Sequence, residues 1–556
     1  MPETREIRAR IHADTIQKTT RFFDASVEEA IGELLQNARR AGAATVEVRT
    51  EEDQVELVDN GSGVEDPAAL LAFGRSNWKG EVASEDPAGM ELYALARYRP
   101  TICSRTAGGA GWRVGLTEEH FRGERAAPVV PDQSAPQPSG TRITFRHGNA
   151  KRIQTAVRER GRFVPTIVQL DGTAIPQAVF IGDEGRVHEW EGALIAVYHD
   201  WLQPRSGTEV SFHGHNVLWH AIEGVRTPGD RWWVRIDISR CPQVELTLPR
   251  RDALVENAFL ERLKVRVRKA IYETMAEQTV PVTLTYAQWA EARRLGVPMP
   301  EAPARLDTWR PATADRAGVY FSSGESSTVN VDAMHTLGPA GLEPAGEQVL
   351  ARALEGNPGH GLHLLQRNDD YQGFSWYDRL RRIGKVEVET TTGQTTRRLP
   401  MAGQGTDFEN ERVDSVTVVL HTIDPESGKI SKTRLATDVG LAQPRGECGG
   451  ENTGIKMTRT SNITVDDLAK LLGRAYFHTT ASTDDDEQRH ERFTEDAEDA
   501  ARRLLGGTEE ANLEAIRRSV DKETAWRVPG GHRATIVIEH DWPTSVVIEP
   551  TPPANA

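Results

Sequence analysis

The residues best suited to chemistry lie in three short segments between positions 33 and 141. In the first, Glu33 and Asn37 stand four residues apart, a spacing that places two side chains on one side of a helix. An amide oxygen is a good Mg²⁺ ligand, and a carboxylate can orient and deprotonate a water molecule. The pair therefore suggests metal-assisted chemistry, although the same pattern also fits an ordinary polar helix flank.

The second and third segments each follow or begin a strand-like run. Asp59 opens the sequence Asp-Asn-Gly-Ser-Gly, where its carboxylate could accept a hydrogen bond from the amine of a base. Gly61 and Gly63 would let a ligand approach the backbone closely. Thr141, in Ser-Gly-Thr, could offer a hydroxyl to a buried polar partner. Each segment taken alone also fits common turn chemistry.

Local patterns predict the elements that must hold these residues. Apolar residues between 27 and 38 recur with helical spacing, which predicts an amphipathic helix. The capping-box residues Ser26 and Glu29 and the stop signal Gly42 set its expected limits. The runs Thr45–Arg49 and Gln54–Asp59 predict a β-hairpin that ends at the second segment. A glycine-bearing loop, a helix and further strands are expected before position 148.

Length and composition limit the class of protein. The chain has 556 residues, which corresponds to three to four domains. We expect an α/β (α+β) domain over 1–148, an α+β domain over 149–278, a linker-rich segment over 279–345 and an α+β region over 346–556. The net charge of −15 argues against a protein that coats nucleic acid or binds membrane surfaces. No apolar run approaches the length of a membrane span, and the first ten residues lack a secretory apolar stretch. We therefore expect a cytoplasmic protein.

Taken in order, the three segments resemble one superfamily. E-x-x-x-N on a capped helix, a hairpin, D-N-G-x-G, a glycine-bearing loop, a helix and a later G-T are typical of the GHKL ATPases, whose nucleotide site is the Bergerat fold. The stretches ELLQNARRAGA and VELVDNGSGV look most similar to the chaperone, mismatch-repair and MORC branches. The resemblance implies an α/β sandwich that binds ATP or ADP and Mg²⁺, followed by a transducer-like domain.

On this resemblance, the first helix and the lid act at the phosphates. Glu33 would be the general base for the attacking water, and Asn37 would be the Mg²⁺ ligand. Of the family's glycine-rich lid motif only Gly89 is present. Lys79 in the same loop could compensate by contacting a phosphate, although its position also fits an ordinary solvated lysine. The shortened motif leaves open whether ATP is hydrolysed or only held.

The resemblance also assigns the base-binding end. Asp59 would bind the adenine amine, and Thr141 would support Asp59 through a hydroxyl or a water molecule. Gly61 and Gly63 would line the base pocket. The stretch 246–260 is similar to the catalytic-arginine loop of the ninety-kilodalton heat-shock chaperone, and its register places Arg251, or else Arg250, on the γ-phosphate. The resemblance covers about residues 15–275.

The function implied is an ATP-hydrolysing conformational switch of the heat-shock-chaperone type, acting as a homodimer on a protein client. One alternative is a nucleotide-sensing scaffold, or pseudo-ATPase, without turnover. Another is a DNA-associated ATPase like MutL or MORC proteins, with Lys264, Arg266 and Lys269 as contacts, although the acidic net charge weighs against it. A metal site at His213, His215 and His220 is a further, weaker interpretation because no carboxylate or cysteine partner is evident.

Overall fold

The computed structural model describes residues 27–550 except 76, 77, 79–81, 83, 84, 86, 88, 200–207, 220–222, 228, 229, 240, 242, 249–252, 312, 315–319, 322–324, 331–333, 343, 402–409, 442–453, 477–496, 507, 508, 510–512, 514, 515, 518–524, 531, 540 and 541. The chain divides into two compact units, Met1–Glu301 and Ala302–Ala556. Both combine helices with strands, so the predicted α+β class is confirmed. None of the described helices combines the length and apolar character needed to cross a bilayer.

An eight-stranded sheet forms the first layer of unit 1. Its strands are β1 (Thr45–Glu51), β2 (Gln54–Asp59), β3 (Thr101–Arg105), β4 (Trp112–Gly115), β5 (Val129–Pro131), β6 (Gly140–Arg146), β7 (Ile167–Leu170) and β8 (Thr173–Ala174). They lie in the order β5-β4-β3-β6-β2-β1-β7-β8. Neighbours are antiparallel except β1 and β7, which run parallel. The predicted hairpin is thus present, and β2 lies near the centre of the sheet.

Helices pack against this sheet through apolar faces. They are α1 (Val27–Arg40), α2 (Glu118–Phe121), α3 (Ala150–Arg160) and a 3₁₀ helix (Glu91–Tyr98). The predicted apolar stripe of α1 is buried in the first core, with Ile31 and Leu35 fully covered. Ile153 and Val157 of α3 and Val168 of β7 belong to the same core. The first core therefore extends past the predicted boundary at 148, because α3 must bury its own apolar face.

A second sheet completes unit 1. Its strands are β9 (Arg186–Trp190), β10 (Ala193–His199), β11 (Thr208–Phe212), β12 (His215–Val217), β13 (Val225–Thr227) and β14 (Asp230–Ile238), followed by α4 (Ala258–Ala276) and α5 (Tyr286–Arg294). The order is β12-β11-β14-β10-β9, with β13 also paired to β14. Val234, Ile236 and Ile238 alternate inward, as predicted, and are fully buried. Leu284 and Ala292 join this core, so part of the predicted linker is packed.

Unit 2 contains several smaller sheets. Its strands are β15 (Arg305–Asp307), β16 (Thr313–Ala314), β17 (Tyr320–Phe321), β18 (Ser326–Thr328), β19 (His335–Leu337), β20 (His363–Leu365), β21 (Arg381–Thr392), β22 (Thr395–Pro400), β23 (Glu411–Val413), β24 (Ser415–Ile423), β25 (Ile430–Thr437), β26 (Val439–Leu441), β27 (Ile455–Thr458), β28 (His532–Glu539) and β29 (Trp542–Pro550), and its helices are α6 (Pro344–Glu355), α7 (Ser375–Asp378) and α8 (Val465–Tyr476). The largest sheet has the order β20-β19-β21-β24-β25, with β22 also on β21. Thr464 caps α8 by accepting a hydrogen bond from Asp467 N–H at 3.1 Å.

Candidate functional site

The site begins with a buried carboxylate at the end of β2. Asp59 lies between Val46 of β1 and Thr141 of β6, and only 6% of it is exposed. Burial raises its pKa to about 6, although hydrogen bonds from the backbone N–H groups of Gly61 and Thr141 oppose the rise. No described basic side chain forms an ion pair with Asp59. A buried acid with a raised pKa and no such partner is typical of a functional site.

The turn after Asp59 packs against the end of α1. Gly61 N–H donates to Asp59 Oδ1 at 2.9 Å, and Ser62 N–H donates to the carbonyl oxygen of Ala41 at 2.8 Å. Gly63 has φ +72°, and a Cβ there would lie 2.0 Å from the carbonyl oxygen of Arg105. Close backbone packing therefore requires glycine at 63. The predicted role of Gly61 and Gly63 in lining a base pocket stays a prediction.

A hydroxyl pair supports the same turn from β3 and β6. Thr141 Oγ1 lies 3.0 Å from Ser104 Oγ, and Ser104 Oγ also accepts a hydrogen bond from Val64 N–H at 2.8 Å. Ser104 is fully buried. Thr141 thus contacts Asp59 through its backbone N–H and bonds Ser104 through its hydroxyl. The sequence offered no sign of Ser104, because a serine within a short strand is unremarkable.

The other end of the site lies along α1. Glu33, Asn37 and Arg40 are brought together on one side of the helix. Arg40 Nη1 donates to Asn37 Oδ1 at 2.9 Å and lies 3.9 Å from Glu33 Oε2. The Arg40 side chain is only 2% exposed. The sequence analysis did not identify Arg40 as part of the site. The only signal for it is its position three residues after Asn37, which places both side chains on one side of α1.

This arrangement does not fit Mg²⁺ as it stands. Asn37 Oδ1, the predicted ligand atom, accepts a hydrogen bond from a buried guanidinium, and two cations repel each other at such short range. The described residues also hold no cluster of three or more His, Cys, Asp or Glu side chains that could bind a metal. His220 lies outside the described residues, so the histidine interpretation stays a prediction. The magnesium requirement stays a prediction.

A second carboxylate, Glu85, closes this end. Arg39 donates to both of its oxygens, with Nη1 at 3.0 Å from Oε1, and Arg40 Nε lies 3.3 Å from Oε2. His213 Nδ1 is 3.8 Å from Oε1. Burial alone would raise the pKa of Glu85, but the hydrogen bond and charge of Arg39, with the charges of His213 and Arg40, hold it below its usual value. One carboxylate is thus shared among three basic side chains.

The histidine comes from the second sheet. His213 occupies the turn between β11 and β12 with φ +51°, and its carbonyl oxygen accepts a hydrogen bond from Gln36 Nε2 of α1 at 3.2 Å. A Cβ on Gly214 would lie 2.4 Å from the carbonyl oxygen of Phe163. This turn therefore packs closely against the segment between α3 and β7. The His213 side chain is therefore fixed beside α1.

The remaining predicted residues have varied positions. Gly89 has φ +63°, and its carbonyl oxygen accepts a hydrogen bond from Gly74 N–H at 3.1 Å. Gly89 therefore joins the two ends of the segment that carries Glu85. Lys79, Arg250 and Arg251 lie outside the described residues, so their predicted phosphate contacts stay predictions.

Comparisons with known proteins add no relative. No protein-family model matches the chain, and no characterised protein is significantly similar to it. The motifs and the geometry of the site are therefore the observations that bear on function.

Proposed function

We propose that the Asp59 turn and α1 form an adenine-nucleotide site of the Bergerat type, and that the chain is an ATP-hydrolysing conformational switch resembling the heat-shock-chaperone GHKL ATPases. The observation that carries the proposal is the buried Asp59 carboxylate, which lacks an ion-pair partner among the described residues. Keeping such a group buried is costly unless a ligand uses it.

Asp59 suits the amine of a purine. A carboxylate has about four acceptor positions, and the backbone N–H groups of Gly61 and Thr141 use two of them. An exocyclic amine can donate to a remaining position. Because burial lowers the local dielectric, this hydrogen bond would be stronger than its equivalent in water.

Glu33 is the proposed general base. Its side chain is 12% exposed, although the Oε2 atom itself is buried. Arg40 lies 3.9 Å away, and a nearby cation weakens a carboxylate as a base. The proximity of Arg40 therefore favours slow ATP hydrolysis. It also supports the alternative hypothesis of a nucleotide-sensing scaffold. No step of the proposal depends on a metal ion.

Two measurements on the full chain test the proposal. Calorimetry should detect binding of ATP and ADP by the wild type, and Asp59→Asn should weaken it at least tenfold. Steady-state phosphate release should fall to background in Glu33→Ala but not in Glu47→Ala, a control on β1 whose carboxylate bonds Arg49 instead. Absence of binding to the wild type would refute the proposal. Binding without phosphate release above that of Glu33→Ala would favour the scaffold.

The DNA-associated alternative has weaker support. Lys264 bonds the carboxylates of Glu256 and Glu261, and Arg266 bonds Glu273. These basic side chains are already neutralised by neighbouring acids, which lowers their attraction for a phosphate backbone. Steeply salt-dependent DNA binding, lost when Lys264, Arg266 and Lys269 are neutralised, would revive this alternative. Action on a protein client, as a homodimer, belongs to the proposal and stays untested.

A further inference from the structure

Three basic side chains surround one carboxylate. Two come from a helix packed on the first sheet, and one comes from a turn of the second sheet. Arg39 and Arg40 come from the last turn of α1, and His213 comes from the turn between β11 and β12. Their common partner, Glu85, belongs to the segment between Gly74 and Gly89 and is only 8% exposed. The arrangement is a small, largely enclosed site for one anionic group.

The chemistry of this site suits a phosphate as well as a carboxylate. A guanidinium presents parallel N–H donors that match either group, and Arg39 uses two of them on Glu85. Arg40 adds a third donor at 3.3 Å, and His213 a further nitrogen at 3.8 Å. A phosphate offers three oxygens and more negative charge, so it would use all three basic groups more fully than Glu85 does.

The site also lies at the same end of α1 as the Asp59 turn. Arg40 bonds Asn37 at 2.9 Å and lies beside Glu33. The Asp59 turn packs on Ala41, the next residue after Arg40. The Asp59 turn and the arginines thus share the C-terminal end of α1, and this shared position is what links the basic groups to a nucleotide bound at Asp59.

We propose that Arg39, Arg40 and His213 form a phosphate-binding site for the nucleotide, and that Glu85 occupies it as an internal substitute when no phosphate is bound. This inference rests on the proposed function for the identity of the base. A bound phosphate displaces the Glu85 carboxylate from both arginines and takes over their donors. Because His213 belongs to the second sheet, the same exchange links the phosphate to that sheet.

The test is calorimetry of three probes with the full chain in EDTA, so that no divalent cation contributes to phosphate binding. The probes are adenosine, ADP and inorganic pyrophosphate. Glu85→Gln removes the competing charge but keeps the size of the side chain, and it should bind ADP and pyrophosphate at least tenfold more tightly than the wild type. Adenosine affinity should change less than twofold. Glu47→Gln, an equal change of charge outside the site, should alter none of the three.

Arg39→Gln provides the second variant. It removes two donors while Arg40 and Glu85 stay paired, and it should weaken pyrophosphate binding about tenfold, as expected for one charge-assisted contact. If Glu85→Gln does not fold, this variant decides.

The outcomes separate the two proposals. Adenosine binding with ADP and pyrophosphate affinities unchanged in both variants would overturn the phosphate site and leave the proposed function standing. Pyrophosphate binding that becomes tighter in Glu85→Gln and weaker in Arg39→Gln, without any adenosine binding, would support the phosphate site and overturn the adenine assignment.

Discussion

Replacing Asp59 with asparagine should make the protein more stable at neutral pH while weakening its nucleotide binding. Burial raises the Asp59 pKa from 3.8 to about 6, so the folded state holds this proton more tightly than the unfolded state. Stability therefore falls as the pH rises from about 4 to about 6, and the full penalty persists above that. At about 1.4 kcal/mol for each pH unit, it amounts to about 3 kcal/mol.

Asparagine cannot ionise, so Asp59→Asn escapes this penalty. It loses one acceptor oxygen, which costs about 1 kcal/mol. We expect a net gain of about 2 kcal/mol at pH 8 and a net loss of about 1 kcal/mol at pH 4. Nucleotide affinity should fall, because the amide nitrogen would face the amine of the base, donor against donor.

Urea unfolding of both proteins between pH 4 and pH 8 measures this difference. The exposed control Asp53→Asn should change the free energy of unfolding by less than about 0.5 kcal/mol at every pH. The reasoning would be refuted if the two proteins differed in free energy of unfolding by the same amount at every pH. It would also be refuted if the stabilisation by Asp59→Asn were larger at pH 4 than at pH 8.

The other predictions concern the packing of the same turn. Gly63→Ala should cost at least about 3 kcal/mol, because its Cβ would lie 2.0 Å from the carbonyl oxygen of Arg105. Gly42→Ala, with φ +70° but nothing within 4 Å of the new Cβ, should cost only about 1 kcal/mol; equal losses in thermal unfolding would contradict the packing argument. Ser104→Ala should destabilise by about 1–3 kcal/mol, since it leaves the Val64 N–H group without its acceptor. An unchanged melting temperature would show that another group replaces the hydroxyl.

Local patterns predicted the elements of the first domain well. The stripe of α1 and the alternation in β1 and β2 depend on neighbours three, four or two residues away, so the sequence contains the whole signal. The position of Asp59 at the end of a strand follows from the same local reading. Its burial does not, because β6, which pairs with β2 at Asp59, comes from a distant part of the chain.

The cluster of Arg39, Arg40, His213 and Glu85 could not be found in this way. Arg39 and Glu85 are 46 residues apart, and Gln36 and His213 are 177 residues apart. A basic pair at the end of a helix has many potential partners along a chain with 82 acidic residues, and no local periodicity selects one of them. The extension of the first core past 148 could not be predicted for a similar reason, since α3 is buried by packing against α1 and β1.

The order of the strands has a practical consequence for probing this protein. Because β2 runs from Gln54 to Asp59, Asp59 lies at one end of this strand, and the turn at Glu52 and Asp53 lies at the other end. Glu52 is exposed and already has φ +51°. A fluorophore attached at this turn would lie a whole strand length from Asp59, and would report on the rigidity of the domain without obstructing the proposed nucleotide site.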